Sequence, residues 1–386
     1  MKIVVAIDSF KGCLNSAAAG QTFSQGFLSI FPDAQMRVVA VADGGEGTVD
    51  ALTGAIGGSK VTATVTGPEG LPVTAAYGIS ADGTTAVIEV ASACGLPFVP
   101  VARRNPMLTT TAGVGQLVLH ALDRGCRRFI VGLGGSATND GGTGMLAALG
   151  VRFYDSVGNP LPGGGETPAR VHAIDLNGLD PRIKASSFII ISDVDSPLCG
   201  PRGASAVFGP QKGATPAMVA ALDNGLENFA DKATQALGAD FSAVPGAGAA
   251  GGLGFAFRAF LGAPLQPGAD TLLDAIGFDG IADGAALLIT GEGHIDRQTL
   301  MGKTPAGVLA AGRRRDIPVV AVAGAVSDKA LLLGAGFADV IAVSPPQMPL
   351  PQAMSPSVAA GNLAAAAAVI ARNFVEGKYG PPHSKP

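Results

Sequence analysis

Six short runs rich in Val and Ile each close on Asp, Gly or Ser: IVVAIDS at 3–9, RVVAVADGG at 37–45, FIVGLGG at 129–135, FIIISDVD at 188–195, ALLITGEG at 286–293 and PVVAVAG at 318–324. Strands that are continuously apolar belong in a parallel sheet covered on both faces. Helical stretches such as SAAAGQTFSQGFLSIF and TPAGVLAAGRRR lie between the runs and give the βαβ alternation of an α/β protein. Ligands of such sheets sit beyond the carboxyl ends of the strands, so the polar residues that close the runs are expected on one edge.

Residues 60–78, KVTATVTGPEGLPVTAAYG, break the pattern: Val and Thr alternate around Gly-Pro-Glu-Gly, a hairpin signature. With 386 residues, enough for about two domains, this shift predicts a second α/β domain inserted into the first. The expected division is 1–58 with 280–386 for the discontinuous domain and 59–279 for the insert.

A formal net charge of -4 argues against a nucleic-acid surface. Cys13, Cys94, Cys126 and Cys199 show no C-x-x-C spacing, so neither a zinc site nor a disulfide framework is signalled, and a reducing cytoplasm fits. The apolar run between Lys2 and Asp8 is too short for a signal-peptide core. Near the C-terminus, VAAGNLAAAAAVIARNF reads as a packed helix and not a membrane span, because Ala is weakly apolar and Asn362 interrupts it.

The third run feeds directly into GLGGSATNDGGTG at 132–144. Glycine lets backbone approach a ligand closely, and successive N–H groups in such a loop suit phosphate. Backbone donors from Gly134, Gly135 and Gly141, with the side chains of Ser136, Thr138 and Asn139, would hold a polyphosphate, and Asp140 lies in the same loop. A tight structural turn is the plainer reading. Gly132, Gly134 and Ala137 also fit G-x-G-x-x-A, with Asp155 near the separation of a dinucleotide fingerprint, so a nicotinamide-dependent enzyme is an alternative. Against it, the polar loop continues where the fingerprint's helix should be under way. GKT at 302–304 ends like a Walker loop, but Arg297 occupies the place of its first glycine; Lys303 remains a candidate for a phosphate.

Carboxylates close the apolar runs: Asp8, Asp43, Asp193 with Asp195, and Glu292 with Asp296. Two or three that converge would hold Mg²⁺, which keeps water and phosphate as its other ligands, whereas a single Asp is more often a helix cap. The D-x-D of Asp193 and Asp195 also mimics phosphohydrolases with an Asp nucleophile. Lys11 follows Asp8 and Ser9 within reach of an anion, and Arg104 beside Arg103 would clamp a carboxylate.

Taken in order, AIDSFKG at 6–12, VADGGEGT at 41–48, GLGGSATNDGG at 132–142, DVDSPLCGPRGA at 193–204, VFGPQKGAT at 207–215, GAGAAGGLG at 246–254 and TGEGHIDRQTLMGKTP at 290–305 resemble the bacterial glycerate kinase family, type 1. The resemblance implies a flavodoxin-like, Rossmann-like parallel sheet carrying the inserted domain, and transfer of the ATP γ-phosphoryl to D-glycerate with Mg²⁺, the 2-hydroxyl favoured over the 3-hydroxyl. Cys13, Ser196 and Ala112 depart from the family pattern without removing a carboxylate. The expected roles are catalysis for Asp8, Lys11, Asp43 and Asp193, and Mg²⁺ for Asp193 and Asp195. Nucleotide contacts are expected from Gly134, Gly135, Ser136, Asn139, Asp140, Gly141 and Lys303, and substrate contacts from Ser9, Arg104, Glu292, Asp296 and Gln298. A non-catalytic nucleotide-binding module stands as the alternative from another class. Neither nucleic acid nor membrane is an expected partner.

Overall fold

The computed structural model describes residues 1–10, 12–42, 47–266 and 268–380. The chain forms two compact units, one of Met1–Asp43, Asp50–Ile56 and Pro267–Pro386, the other of Gly44–Val49 and Gly57–Gln266.

The first unit is built on a five-stranded sheet: β1 (Lys2–Ile7), β2 (Gln35–Val38), β12 (Leu287–Ile295), β13 (Val319–Val326) and β14 (Asp339–Ala342), in the order β14-β13-β12-β1-β2 with every pair parallel. Counted within the unit this is the 2-1-3-4-5 order of flavodoxin-like sheets, as expected. Ile3, Val5, Ile7, Ile289, Val320 and Val322 are buried among Phe23 and Phe27 of the helix Ser16–Leu28 and Leu363, Ala367 and Ile370 of the helix Pro356–Val375. The latter is long and apolar enough to cross a membrane by length and composition; its apolar stripe packs into this core. The described part of the run at 37–45 ends at Ala42. After β2 the Val39 N–H continues toward β1, donating to Val5 O at 2.8 Å, and the Ser16 hydroxyl accepts from Val41 N at 2.9 Å.

The second unit holds a six-stranded sheet of β3 (Ser59–Thr66), β4 (Pro72–Ile79), β5 (Thr85–Glu89), β6 (Arg128–Gly132), β10 (Ser187–Ile191) and β11 (Leu265–Gln266), ordered β11-β10-β6-β5-β4-β3. The hairpin β3–β4 and the pair β4–β5 are antiparallel; the remaining pairs are parallel. A small antiparallel sheet of β7 (Arg152–Tyr154), β8 (Pro160–Leu161) and β9 (Ala173–Asp175) completes it. Phe129 and Phe188, neighbours on β6 and β10, stack at 4.6 Å, and Phe229 and Phe257 join the same core.

The boundaries differ from expectation at both ends: residues 47–49 and 57–58, assigned from sequence to the discontinuous domain, belong to the second unit. Residues 268–279, assigned from sequence to the insert, belong to the first unit, because the helix Gly268–Ala275 packs on the helix Thr304–Arg313: a Cβ on Gly307 would meet Leu273 Cδ1 at 2.6 Å.

Two glycines test the packing of the helix Pro356–Val375. A Cβ on Gly26 would collide with the Ala364 carbonyl and lie 2.8 Å from Ala364 Cα, whereas a Cβ on Gly361 meets nothing within 4 Å. Gly26→Ala is therefore expected to lower unfolding free energy by about 1–3 kcal/mol through overpacking. Gly361→Ala is expected to raise it by about 1 kcal/mol through helix propensity. Urea unfolding of the two variants checks both signs.

Candidate functional site

In the first unit, β1 hands over to Asp8 and Ser9. The Asp8 N–H donates to Gly291 O at 2.8 Å, prolonging the β1–β12 ladder, and its Oδ1 accepts from the Ser9 N–H at 2.6 Å. On β12, Glu292 Oε1 accepts from Thr299 Oγ1 at 2.7 Å and Oε2 from Lys303 Nζ at 3.2 Å. Glu292 and Lys303, given separate roles from sequence, thus form one ion pair. Strands β1 and β12 flank the point where the winding of this sheet reverses, the place where such sheets bind ligands.

Asp296 Oδ1 accepts from Gln298 N at 2.8 Å and caps the 3-10 turn Arg297–Leu300, leaving the Gln298 side chain exposed. GKT does open a helix, Thr304–Arg313, but what precedes it is this capped turn and not a phosphate-cradling loop. Among the described residues, the buried hydroxyls of Thr290 and Thr304 have no hydrogen-bond partner.

In the second unit, the glycine-rich loop leaves β6 and is pinned along its length. Leu96 N donates to Gly135 O at 2.9 Å, Ala137 N to Cys94 O at 2.8 Å, and Gly141 N to Gly251 O at 2.9 Å. A Cβ on Gly142, whose φ is 76°, would run into Ala256, and one on Gly251, whose φ is 70°, into the Thr138 carbonyl. Close packing of two glycine-rich segments, 138–142 and 248–252, therefore accounts for much of the loop's composition.

The loop divides into an exposed head and a buried body. Gly134 is half-buried and Gly135 exposed with φ 76°, whereas Ser136, Asn139, Asp140 and Gly141 are buried. Asp140 does something other than the phosphate contact expected of it. Its Oδ2 accepts from Thr111 N (2.9 Å), Thr111 Oγ1 (2.8 Å) and Gly144 N (3.1 Å), and its Oδ1 from Gly142 N (2.9 Å). Burial pushes this carboxyl above the usual carboxylate range while those four bonds pull against it. Asn139 Nδ2 donates to Ser205 Oγ at 2.9 Å, so it too braces the loop.

Arg104 Nη1 donates to Gln211 O at 3.1 Å, holding the turn at Pro210–Lys212. Asp193 and Asp195 are exposed beyond β10. Among the described residues no three His, Cys, Asp or Glu side chains form a group able to hold a metal, which leaves the carboxylate pair Asp193 and Asp195 as the donors assigned to one. That donor set suits Mg²⁺, which keeps several waters and binds phosphate. Lys11 and Asp43 lie outside the described residues. A cavity of about 450 Å³ lined by Thr66, Gln116 and His120 contains none of the expected site residues.

The dinucleotide alternative fails on geometry. The helix after the loop, Thr143–Ala148, is six residues long, and Asp155 is used in its own turn, accepting from Val157 N and Asn159 N. Sequence reasoning missed Lys212. It sits in VFGPQKGAT and carried no assigned role, yet it is buried with Nζ donating to Thr138 O at 2.6 Å and Ser136 Oγ at 3.1 Å. Burial lowers its pKa to about 8. A lysine between Gln211 and Gly213 reads as solvated, and only the fold turns it inward.

A family model described as the glycerate kinase family matches residues 3–375. The glycerate kinase of Bacillus subtilis (strain 168) is 48% identical over 354 residues, covering 92% of this chain and 93% of that protein. The glycerate 2-kinase of Escherichia coli (strain K12) is 48% identical over 328 residues, 85% of this chain and 86% of its own. A crystal structure from Salmonella typhimurium LT2, provisionally named glycerate kinase 2, aligns with a TM-score of 0.87 at 43% identity over 98% of this chain and 99% of that one.

Asp140→Ala would leave three buried N–H groups and a hydroxyl without their acceptor, each costing about 1–3 kcal/mol. The expected loss of unfolding free energy is about 3 kcal/mol or more in urea titration; a loss below about 1 kcal/mol would mean the loop finds other acceptors.

Proposed function

Since the chain belongs to the glycerate kinase family, a family of phosphotransferases, we propose that it catalyses ATP-dependent phosphorylation of D-glycerate with Mg²⁺, at the 2-hydroxyl. The observation that carries the reading is the Glu292–Lys303–Thr299 cluster at the switch point of a flavodoxin-order sheet, on a chain matched to that family almost end to end. The name of the Escherichia coli relative supports the 2-position.

When bound, Mg·ATP supplies the phosphoryl group and the cation that offsets its charge. This chain's residues bind and orient. Gly134 and Gly135 offer backbone to phosphate oxygens, with Ser136, Asn139, Asp140 and Gly141 as the frame that fixes the turn. Lys303 donates one N–H to Glu292 and keeps two others for an anionic oxygen. Asp193 and Asp195 would hold Mg²⁺ together with water. Asp8, anchored on β12 through its backbone, orients the substrate hydroxyl and accepts its proton. Ser9, Gln298 and Arg104 offer donors to the glycerate hydroxyl and carboxylate.

ADP release from Mg·ATP is expected to depend on D-glycerate, and the product's phosphorus resonance is expected to be split by one carbon-bound proton, as a phosphate on C2 requires. Splitting by two protons would place the phosphate on C3 and overturn the regiochemistry; no glycerate dependence would overturn the substrate. Asp193→Asn is expected to lower turnover by about 10²-fold or more with an unchanged circular dichroism spectrum. Near-normal turnover at ordinary Mg²⁺ would remove Asp193 from the metal site.

A further inference from the structure

Lys212 is the buried cation that the roles above leave unused. Its turn, Pro210–Lys212, is held by Arg104 from one side, and Gly213 closes it with φ 91° against the Arg104 backbone. The ammonium spends two of its three donors on Thr138 O and Ser136 Oγ. Among the described residues no carboxylate lies within ion-pair distance of it. The titratable groups around it are the Cys94 thiol, which burial pushes up to about 12, and the Asp140 carboxyl, which takes its four hydrogen bonds from other groups and favours the charged lysine through space; the Arg104 guanidinium faces the same turn. A buried ammonium whose carboxylate neighbour stands beyond ion-pair distance is costly, and an anion arriving close to it offsets that cost.

We propose that Lys212 is a positioning residue for the phosphate-binding turn: bridging Ser136 and Thr138, it fixes the shape in which Gly134 and Gly135 present their backbone. In this role its charge gains a close counter-ion when an anionic phosphate binds there. The inference rests on the assignment of that turn to nucleotide phosphate. It has a consequence for protons. Burial lowers the Lys212 pKa to about 8, so at pH 8.5 a substantial fraction of it is neutral, and an arriving polyanion draws a proton from solvent onto Nζ.

The test is calorimetric titration of the full chain with Mg·ADP at pH 8.5 in two buffers of different ionisation enthalpy. A fractional proton taken up per nucleotide is expected in the native protein. Lys212→Arg, charged at every working pH, is expected to bind Mg·ADP without that uptake, and Lys212→Met to bind it about tenfold or more weakly, also without uptake. The affinity of the native protein is expected to fall as pH rises above about 8, and that of Lys212→Met to stay flat across the same window. Absence of uptake in the native protein overturns the proposal even if no variant folds. Uptake that persists in a folded Lys212→Met overturns it as well. Failure of the underlying assignment gives a different result: Gly135→Val, which loads a left-handed position in the exposed head, would then leave Mg·ADP affinity unchanged. If only the Lys212 role is wrong, Gly135→Val weakens binding and Lys212→Met does not.

Discussion

Burying the Asp140 carboxylate against four donors sets the path of the chain from Thr111 to Gly144. Thr111 precedes the helix Ala112–Asp123, and Gly142 and Gly144 lie at the start of the helix Thr143–Ala148, so one side chain satisfies N–H groups at two helix origins. Both origins favour negative charge, which offsets part of the cost of taking a carboxylate out of water. The glycine-rich turn between β6 and these helices can then leave its head open to solvent, because its body is fixed from beneath.

The polar groups of the second unit are therefore layered by function. Side chains that sequence reasoning aims at phosphate mostly point inward and hold one another: Asn139 on Ser205, Asp140 on Thr111, Ser136 on Lys212. In the exposed head of the loop, what faces solvent is the backbone of Gly134 and Gly135. This suits phosphoryl transfer, where stabilisation comes from fixed donors that do not reorganise as charge develops. In the first unit the arrangement is different, with Glu292 and Lys303 meeting each other at the sheet edge and remaining partly accessible.

Much of this architecture is legible in the chain, and the exceptions have physical causes. The runs at 3–9, 129–135, 188–195, 286–293 and 318–324 became β1, β6, β10, β12 and β13, because an apolar run of that length has no other stable use inside an α/β fold. The hairpin at 60–78 became β3 and β4 around its Gly-Pro-Glu-Gly turn. The strands β5, β7, β8, β9, β11 and β14 escaped notice: two to five residues long, they carry too few side chains to show a period. For the residues proposed for the site, the residue types were readable, but which way they face was not. Asp140 and Asp193 look alike as acids closing a Gly- or Ile-rich run, yet one is buried under two helices and the other lies exposed beyond its strand. Lys212 escaped because burial of a lysine is decided by Thr138 and Ser136, some seventy residues away.

The sheet of the first unit also constrains how the molecule is made. Strand β1 pairs with β12 from Ile3↔Leu287 to Ile7↔Gly291, so its central neighbour is synthesised only after the whole intervening unit. At ribosomal rates of about 5–20 residues per second that interval is on the order of tens of seconds. Throughout it, the apolar stretch Ile3–Ile7 has β2 on one side and no permanent partner on the other. Closing a loop of this length makes the pairing a late, high-contact-order event. The nascent chain is therefore most prone to aggregation before β12 leaves the ribosome, and a stop codon anywhere upstream of Leu287 orphans the first strand as well as shortening the enzyme.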